Sequence, residues 1–331
     1  MNYIVFDLEW NQCPEGKKKE HPDLPFEILE IGALKLNEKK EEIGRFHEFI
    51  RPTVYTRLHP KTNEIIHISQ KTLQSSDRFP DVIERFRTWC GEDVRYCTWG
   101  SLDLLELQRN MRFHQVPDFF PFPLKYYDIQ KLFSLSFEDG KSRRTLEYAV
   151  DMLHMEKNVP FHEALSDAWY TSAVMRCMDD SQVLPYFSID YFSTPHRRKE
   201  EIYTVFPERP GFPSYSKFVS KDFSSKTELM RDRKVASTRC YLCGRHAKKK
   251  IRWFLSGGKN YICLACCEEH GYLKGKIRLK KTEDGSGFFC VKTLKLIDDD
   301  QAQAIYSRQE ILRERKRIRR HLAKEGATEN N

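Results

Sequence analysis

The sequence predicts an α/β fold: a mixed sheet with flanking helices in the first half of the chain, then a small cysteine-bearing module. Three observations carry this. Apolar strand-like runs come in succession before residue 50. From residue 79 to about 178, helical and strand patterns alternate. Six of the ten cysteines then fall after residue 239, five of them clustered. The 331 residues exceed one compact core and fit about two domains of ~100–200 residues each.

The elements follow in order. Residues 3–10, YIVFDLEW, read as a buried strand with acids at its end. FEILEIGALKL at 26–36 and IGRFHEFI at 43–50 alternate as strands, joined by the polar turn EKKEE, so an antiparallel meander is expected. In 79–90, Phe79, Val82, Ile83, Phe86 and Trp89 stand at helical spacing. VRYCTW at 94–99 is a short strand. Ser101 then stands as N-cap of a helix with Leu104, Leu105 and Leu107 on its apolar face. Helices are expected again over 145–154 and from about 162 to 178. The expected domains are 1–185, an aromatic, basic and proline-rich linker over 186–235, a metal-binding module over 236–297, and a basic helix and tail over 298–331.

Charge divides the chain at the same place. Residues 1–185 hold 24 Lys plus Arg against 30 Asp plus Glu, a net of −6. Residues 186–331 hold 32 against 18, a net of +14. A basic half points to a polyanion or an anionic surface. With 31% charged and 40% hydrophobic residues the chain is not mainly disordered. No apolar run nears the ~18 residues of a membrane span. MNYIVFDLEWNQ lacks the pattern of a signal peptide, so a cytoplasmic protein with no membrane partner is expected.

Asp7 and Glu9, two residues apart on a strand, share a face. Paired like charges at the end of an apolar strand are costly unless a cation neutralises them, although Glu9 at a strand end also suits solvent. Asp103 lies in the first turn of a helix, where it also suits the macrodipole. Asp167 lies on a helix beside small residues, with His162 five positions before it. Together the four carboxylates have the donors for two Mg²⁺ or Mn²⁺ ions ~3.5–4 Å apart, and a histidine at the edge suits a general base.

These residues carry a resemblance. YIVFDLEWN, WGSLDLLELQRNM and HEALSDAWYTSAVM resemble, in order, the three blocks of the DnaQ-like 3′-to-5′ exonucleases of the DEDDh type. The likeness covers about residues 1–180, and the Trp-Gly before the second block is closest to the Eri-like and sporulation-regulator-like branch found in Firmicutes. It implies an RNase H-like fold with a five-stranded mixed sheet. It implies Asp7, Glu9, Asp103 and Asp167 as ligands of two catalytic Mg²⁺ or Mn²⁺ ions, His162 as base, and single-stranded RNA or DNA as partner, with a tilt to RNA. Leu8, Trp10 and Trp99 would border the substrate. Trp10 stands where many members have Thr, and is either a stacking platform or a wedge in the core. The alternative is a non-catalytic nucleic-acid-binding or regulatory protein that keeps the fold; intact acids and histidine argue against it.

Cys13, Cys90, Cys97 and Cys177 read as ordinary reduced thiols. Cys240 and Cys243, with Cys263 and Cys266, form two C-x-x-C pairs separated by nineteen residues, the spacing of a structural Cys₄ site for one Zn²⁺. Cys267, His246 and His270 are substitute ligands, Cys267 first. KKIRWFL and NYICL around Gly257-Gly258 read as a hairpin, and LACCEEHG as a short helix, so a treble-clef or zinc-ribbon-like module is expected. Lys248, Lys249, Lys250, Arg252, Trp253 and Lys259 surround it, suiting either nucleic acid or a solvated face. The terminal helix has eight Lys or Arg between Arg308 and Lys324 and a modest stripe of Ile305, Ile311, Leu312 and Ile318.

Overall fold

The computed structural model describes residues 1–66, 68–121, 124–190, 192, 201–206, 213–282 and 285–328, with side chains to Arg319. Contacts divide it into two units, Met1–Ser193 and Thr194–Asn331.

The first unit is built on β1 (Asn2–Gln12), β2 (Phe26–Leu36) and β3 (Glu42–Phe49), the expected antiparallel meander. The short helices α1 (Pro60–Ile65) and α2 (Gln70–Ser75) follow, then the long α3 (Phe79–Cys90). Next come β4 (Val94–Thr98), α4 (Leu102–Phe113), β5 (Lys125–Asp128), α5 (Ile129–Phe137), α6 (Leu146–Met152), α7 (Ala164–Arg176), α8 (Asp180–Val183) and β6 (Ser188–Ile189). The strand order is β3-β2-β1-β4-β5-β6. β4 and β5 run parallel to the central β1 side, while β6 adds a short antiparallel edge beyond the five strands expected.

Alternation along β1 sorts its residues. Ile4, Phe6 and Leu8 pack with Val82, Ile83 and Phe86 of α3 and Leu104 and Leu107 of α4 in one core. Asp7 and Glu9 stand at the other parity, and α7 packs on β1 and β2. Asn110 ties α4 to the sheet: its Nδ2 donates to the Phe26 carbonyl at 2.9 Å and its Oδ1 accepts from the Ile28 N–H at 3.2 Å. Asn11 pins the stretch after β3, donating to the carbonyls of Tyr55 and Arg57 and accepting from the His59 N–H.

The second unit is one antiparallel sheet. It contains β7 (Ile202–Phe206), β8 (Tyr215–Val219), β9 (Lys248–Gly257), β10 (Asn260–Cys267), β11 (Gly271–Lys281) and β12 (Phe288–Leu296), in the order β7-β8-β12-β11-β10-β9. Two short helices, α9 (Lys226–Arg231) and α10 (Arg233–Ala236), precede β9, and α11 (Asp299–Thr328) closes the chain. The stretch expected as an extended linker therefore supplies β7, β8, α9 and α10. Tyr203, Phe206, Tyr215 and Phe218 are strand residues: Phe206 and Phe218 are buried, and Phe206 stacks on Tyr215 at 4.4 Å. LACCEEHG is not a helix. It is the end of β10 and a turn, Leu264 and Ala265 continuing a strand that is buried on both faces. α11 uses only the start of its expected stripe: Ala302 and Ile305 pack against Ile251, Ile262 and Leu264, while Ile311 and Ile318 are exposed.

Candidate active site and metal centre

The acids are brought together by three local devices. The first is the strand pair: β1 and β2 place Asp7 opposite Gly32 and Glu9 opposite Glu30. The second is Gly32 itself. A Cβ there would lie 2.0 Å from the Leu165 nitrogen and 2.2 Å from the Ala164 carbonyl carbon. Only glycine lets the start of α7 approach the sheet this closely, and that approach brings Asp167 in beside the β1 acids. The third is the loop before α7. Tyr170 stacks on Phe161 at 4.5 Å, donates its hydroxyl to the Val159 carbonyl at 2.8 Å, and accepts from the Val159 N–H at 3.2 Å.

That loop presents His162. Its backbone has φ of +65°, a strained conformation for a non-glycine residue, and its N–H donates to Asp167 Oδ2 at 3.1 Å. The side chain is exposed at the rim, and ligand atoms of Glu9, His162 and Asp167 lie within 4.8 Å of one another. Asp103 is buried at 5% exposure, and the nearby backbone N–H groups of Leu8 and of its own residue favour its charged form against that burial. Ser101 sits at the N-cap position of α4 but caps with no side-chain hydrogen bond, its backbone already being near-helical.

Burial and mutual repulsion push every one of these acids up. Asp7 is raised well above the carboxylate range by desolvation, then by Asp103, Asp167, Glu9 and Glu30. Glu9 is raised to about 8, by burial first and then by Asp167, Glu30 and Asp103. Asp103 and Asp167 are each raised to about 7, again chiefly by burial. Asp167 Oδ1 is buried and has no hydrogen-bond partner among the described residues. A cluster of hard oxygen donors, crowded, desolvated and with an orphaned oxygen, fits a divalent cation.

Glu30 is a fifth acid that sequence reasoning passed over. It is 1% exposed, its Oε1 lies 2.7 Å from His47 Nε2, and its Oε2 has no partner. Its signal was present: it shares parity with Gly32 on β2, opposite Glu9.

The three residues expected to border substrate all make packing contacts within the fold. Leu8 is buried at 3% in the α3–α4 core, because its parity on β1 is that of Ile4 and Phe6. Trp10 is half-buried against the same core, its ring tilted on Phe26 at 5.6 Å. Trp99 is half-buried beside Phe133 and donates its indole N–H to the Arg144 carbonyl at 3.1 Å.

A nest of four carboxylates on a mixed sheet has the donors that a metal-assisted hydrolase uses. Residues 4–175, more than half of the chain, match the exonuclease family model RNase_T, and the chain belongs to that family, as an enzyme of the 3′-to-5′ exonuclease class. It is 28% identical over 169 residues to the probable 3′-5′ exonuclease KapD of Bacillus subtilis (strain 168), covering 50% of this chain and 78% of that one. It is 25% identical over 179 residues to 3′-5′ exoribonuclease 1 of Homo sapiens, covering 50% of this chain and 49% of that protein, so it spans about half the length of that relative. The nuclease domain of 3′hExo bound to rAMP, a DEDDh family member, is similar at a TM-score of 0.48 and 20% identity, over 57% of this chain and 96% of that one.

In the second unit, Cys240, Cys243, Cys267 and His270 are brought together as a set of donors able to hold a metal ion. Sγ of Cys240 and Sγ of Cys267 each lie 3.8 Å from His270 Nδ1, and Sγ of Cys243 lies 3.6 Å from that of Cys267. Tetrahedral ligands at ~2.3 Å for sulfur and ~2.0–2.1 Å for nitrogen require separations of this size. The His270 contact draws the Cys267 thiol down to about 6.

The second expected C-x-x-C pair, Cys263 and Cys266, is not part of this cluster. Cys263 and Cys266 lie on an extended strand, where three residues span ~10 Å and alternate residues face opposite sides. Cys263 is fully buried against Gly275, its thiol pushed up to about 12 by desolvation, and Cys266 Sγ is directed at the Cys267 carbonyl. The turn that ends β10 offers Cys267 and His270, three apart, instead. His246 stays outside the cluster, its Nε2 3.3 Å from Arg239 Nη2, and Cys290 is a buried core thiol.

Proposed function

We propose that the chain is a divalent-metal-dependent exonuclease that removes 5′-mononucleotides from the 3′ ends of single strands, RNA in preference to DNA. The observation that carries the reading is the convergence of Asp7, Glu9, Asp103 and Asp167 on one buried site with His162 at its rim. Preference for RNA is supported by the exoribonuclease named among the relatives.

Asp7, Glu9, Asp103 and Asp167 would hold two Mg²⁺ or Mn²⁺ ions. When bound, such ions supply Lewis-acid stabilisation of the charge that develops on the scissile phosphate. His162 takes the proton of the attacking water as its oxygen bonds to phosphorus and the bond to the neighbouring 3′-oxygen breaks. The exposed rim position lets its ring reach solvent water, and the Asp167 contact to its N–H fixes the loop that carries it. The backbone N–H groups of Leu8 and Asp103 favour the ionised form of Asp103 against the burial that opposes it.

The cluster of Cys240, Cys243, Cys267 and His270 would hold one structural Zn²⁺, with all four positions filled by protein.

The test is parallel degradation of matched 5′-labelled RNA and DNA strands with Mg²⁺ and with Mn²⁺. A ladder shortening from the 3′ end, faster on RNA, is expected. Shortening from the 5′ end or internal cutting contradicts the polarity, and equal rates on both strands contradict the RNA preference.

A further inference from the structure

The second unit contains an open groove of about 1130 Å³, none of whose lining residues belongs to the first unit. One wall is the α9–α10 pair, which contributes Lys226, Arg231 and Arg233. The other is the β9–β10 edge, which contributes Lys249 and Arg252. All five cations are exposed, no Asp or Glu lines the groove, and among the described residues none of the five forms an ion pair. A concave surface lined by one sign of charge focuses its potential on a ligand of the opposite sign.

Two aromatic rings complete it. Trp253 and Tyr261 line the groove half-buried, and among the described residues neither stacks on another ring. Trp253 is held in place: its indole N–H donates to the Ala236 carbonyl at 3.0 Å, and its rim rests on Gly275, where a Cβ would approach Cη2 to 2.6 Å. The walls are built as firmly. Asp232 caps α10 by accepting from the N–H groups of Lys234 and Val235, Leu229 and Val235 are fully buried, and Lys292 Nζ donates to the Ser237 carbonyl at 3.1 Å. The base of the metal-binding knuckle closes one end, with Thr238 Oγ1 donating to the Ala247 carbonyl at 3.0 Å.

We propose that this groove binds a segment of single-stranded nucleic acid, the cations taking its phosphates and the two rings its bases. Cations alone suit any polyanion; preset aromatic faces among them suit bases, which stack without regard to sequence. The site has no reacting group, so it adds to the exonuclease reading and rests on it only for the class of ligand. It would retain a strand while its end is processed.

The experiment uses the full chain and fluorescein-labelled oligo(U) and oligo(dT) of twelve nucleotides, followed by anisotropy without added Mg²⁺ or Mn²⁺. Arg231→Glu/Arg233→Glu/Arg252→Glu should weaken binding at least about tenfold and reduce the salt slope by about 2, at ~0.7 per phosphate contact. Tyr261→Ala should weaken it about fivefold or more. Cleavage of a dinucleotide, too short to leave the nest, should match wild type in Mg²⁺. Should the triple variant fail to fold by circular dichroism, Lys249→Gln/Arg252→Gln gives the same readout with a smaller loss. A folded variant that binds like wild type overturns the proposal. So does displacement of the oligonucleotide by poly-glutamate at equal charge, which would make an acidic protein the partner. Groove-dependent binding by a wild type that cleaves nothing would sink the exonuclease reading and leave the groove standing; cleavage with groove-independent binding would do the reverse.

Discussion

Asp7, Glu9, Asp103 and Asp167 destabilise the metal-free fold in a way that depends on pH. Each has its pKa raised in the folded protein above the ordinary range near ~4. Between about pH 4 and the folded values of about 7 to 8, the folded state holds protons that the unfolded chain has released. The stability they favour is complete below pH 4 and is lost as pH rises through 7 to 8. Cations favour the ionised forms and work against this loss. Mg²⁺ or Mn²⁺ should therefore raise the thermal midpoint of the first unit more at pH 8 than at pH 5, which calorimetry reads; an equal effect at both would mean these acids are not the ligands. His162→Ala should slow single-turnover cleavage by ~10²–10⁴-fold with little change in strand affinity. A loss confined to affinity would remove it as the base. At this scale the sequence carried the nest well, because period-two alternation on β1 and helical position fix which way an acid points. Glu30 was legible only once the partner strand and its register were known, since β2 by itself reads as an apolar strand with acids on both faces.

Among the elements, α7 depends on one residue of its neighbour. Gly32→Ala would drive a methyl into the Ala164–Leu165 backbone, displacing α7 and with it Asp167 and His162. Overpacking of this kind costs ~1–3 kcal/mol. Cleavage should fall further than the thermal midpoint suggests, because the displaced element carries a ligand; wild-type turnover in a folded variant would show that the close approach is dispensable. β10 makes the matching case in the second unit. Elemental analysis should find about one zinc per chain in wild type and in Cys263→Ala, and much less in Cys267→Ala; zinc lost from the first and kept by the second would restore the sequence-based ligand set. The long amphipathic α3 and the meander were legible because each repeats its period several times. β5 and β6 were not, being four and two residues long and held by their neighbours. The same brevity hid β7 and β8, five residues each and separated by a proline-rich stretch. The turn after β10 failed for another reason: spacing on the chain counts as spacing at the metal only where the backbone turns.

For the molecule as a whole, the division of charge between the halves has a structural counterpart. Five acids of the first unit gather at one buried nest, and five cations of the second line one groove. Among the described residues no helix is long and apolar enough to cross a membrane. Family membership rests on the first unit alone, over residues 4–175. The central claim is that the carboxylate nest performs metal-dependent removal of 3′-terminal nucleotides, and release of 5′-mononucleotide from a single strand by wild type and by Asp103→Asn tests it most directly. Wild type should release mononucleotide only with Mg²⁺ or Mn²⁺ present, and Asp103→Asn, folded and with its zinc intact, should release almost none. Comparable release by the two proteins, or none by wild type from RNA and DNA under either metal, would contradict it.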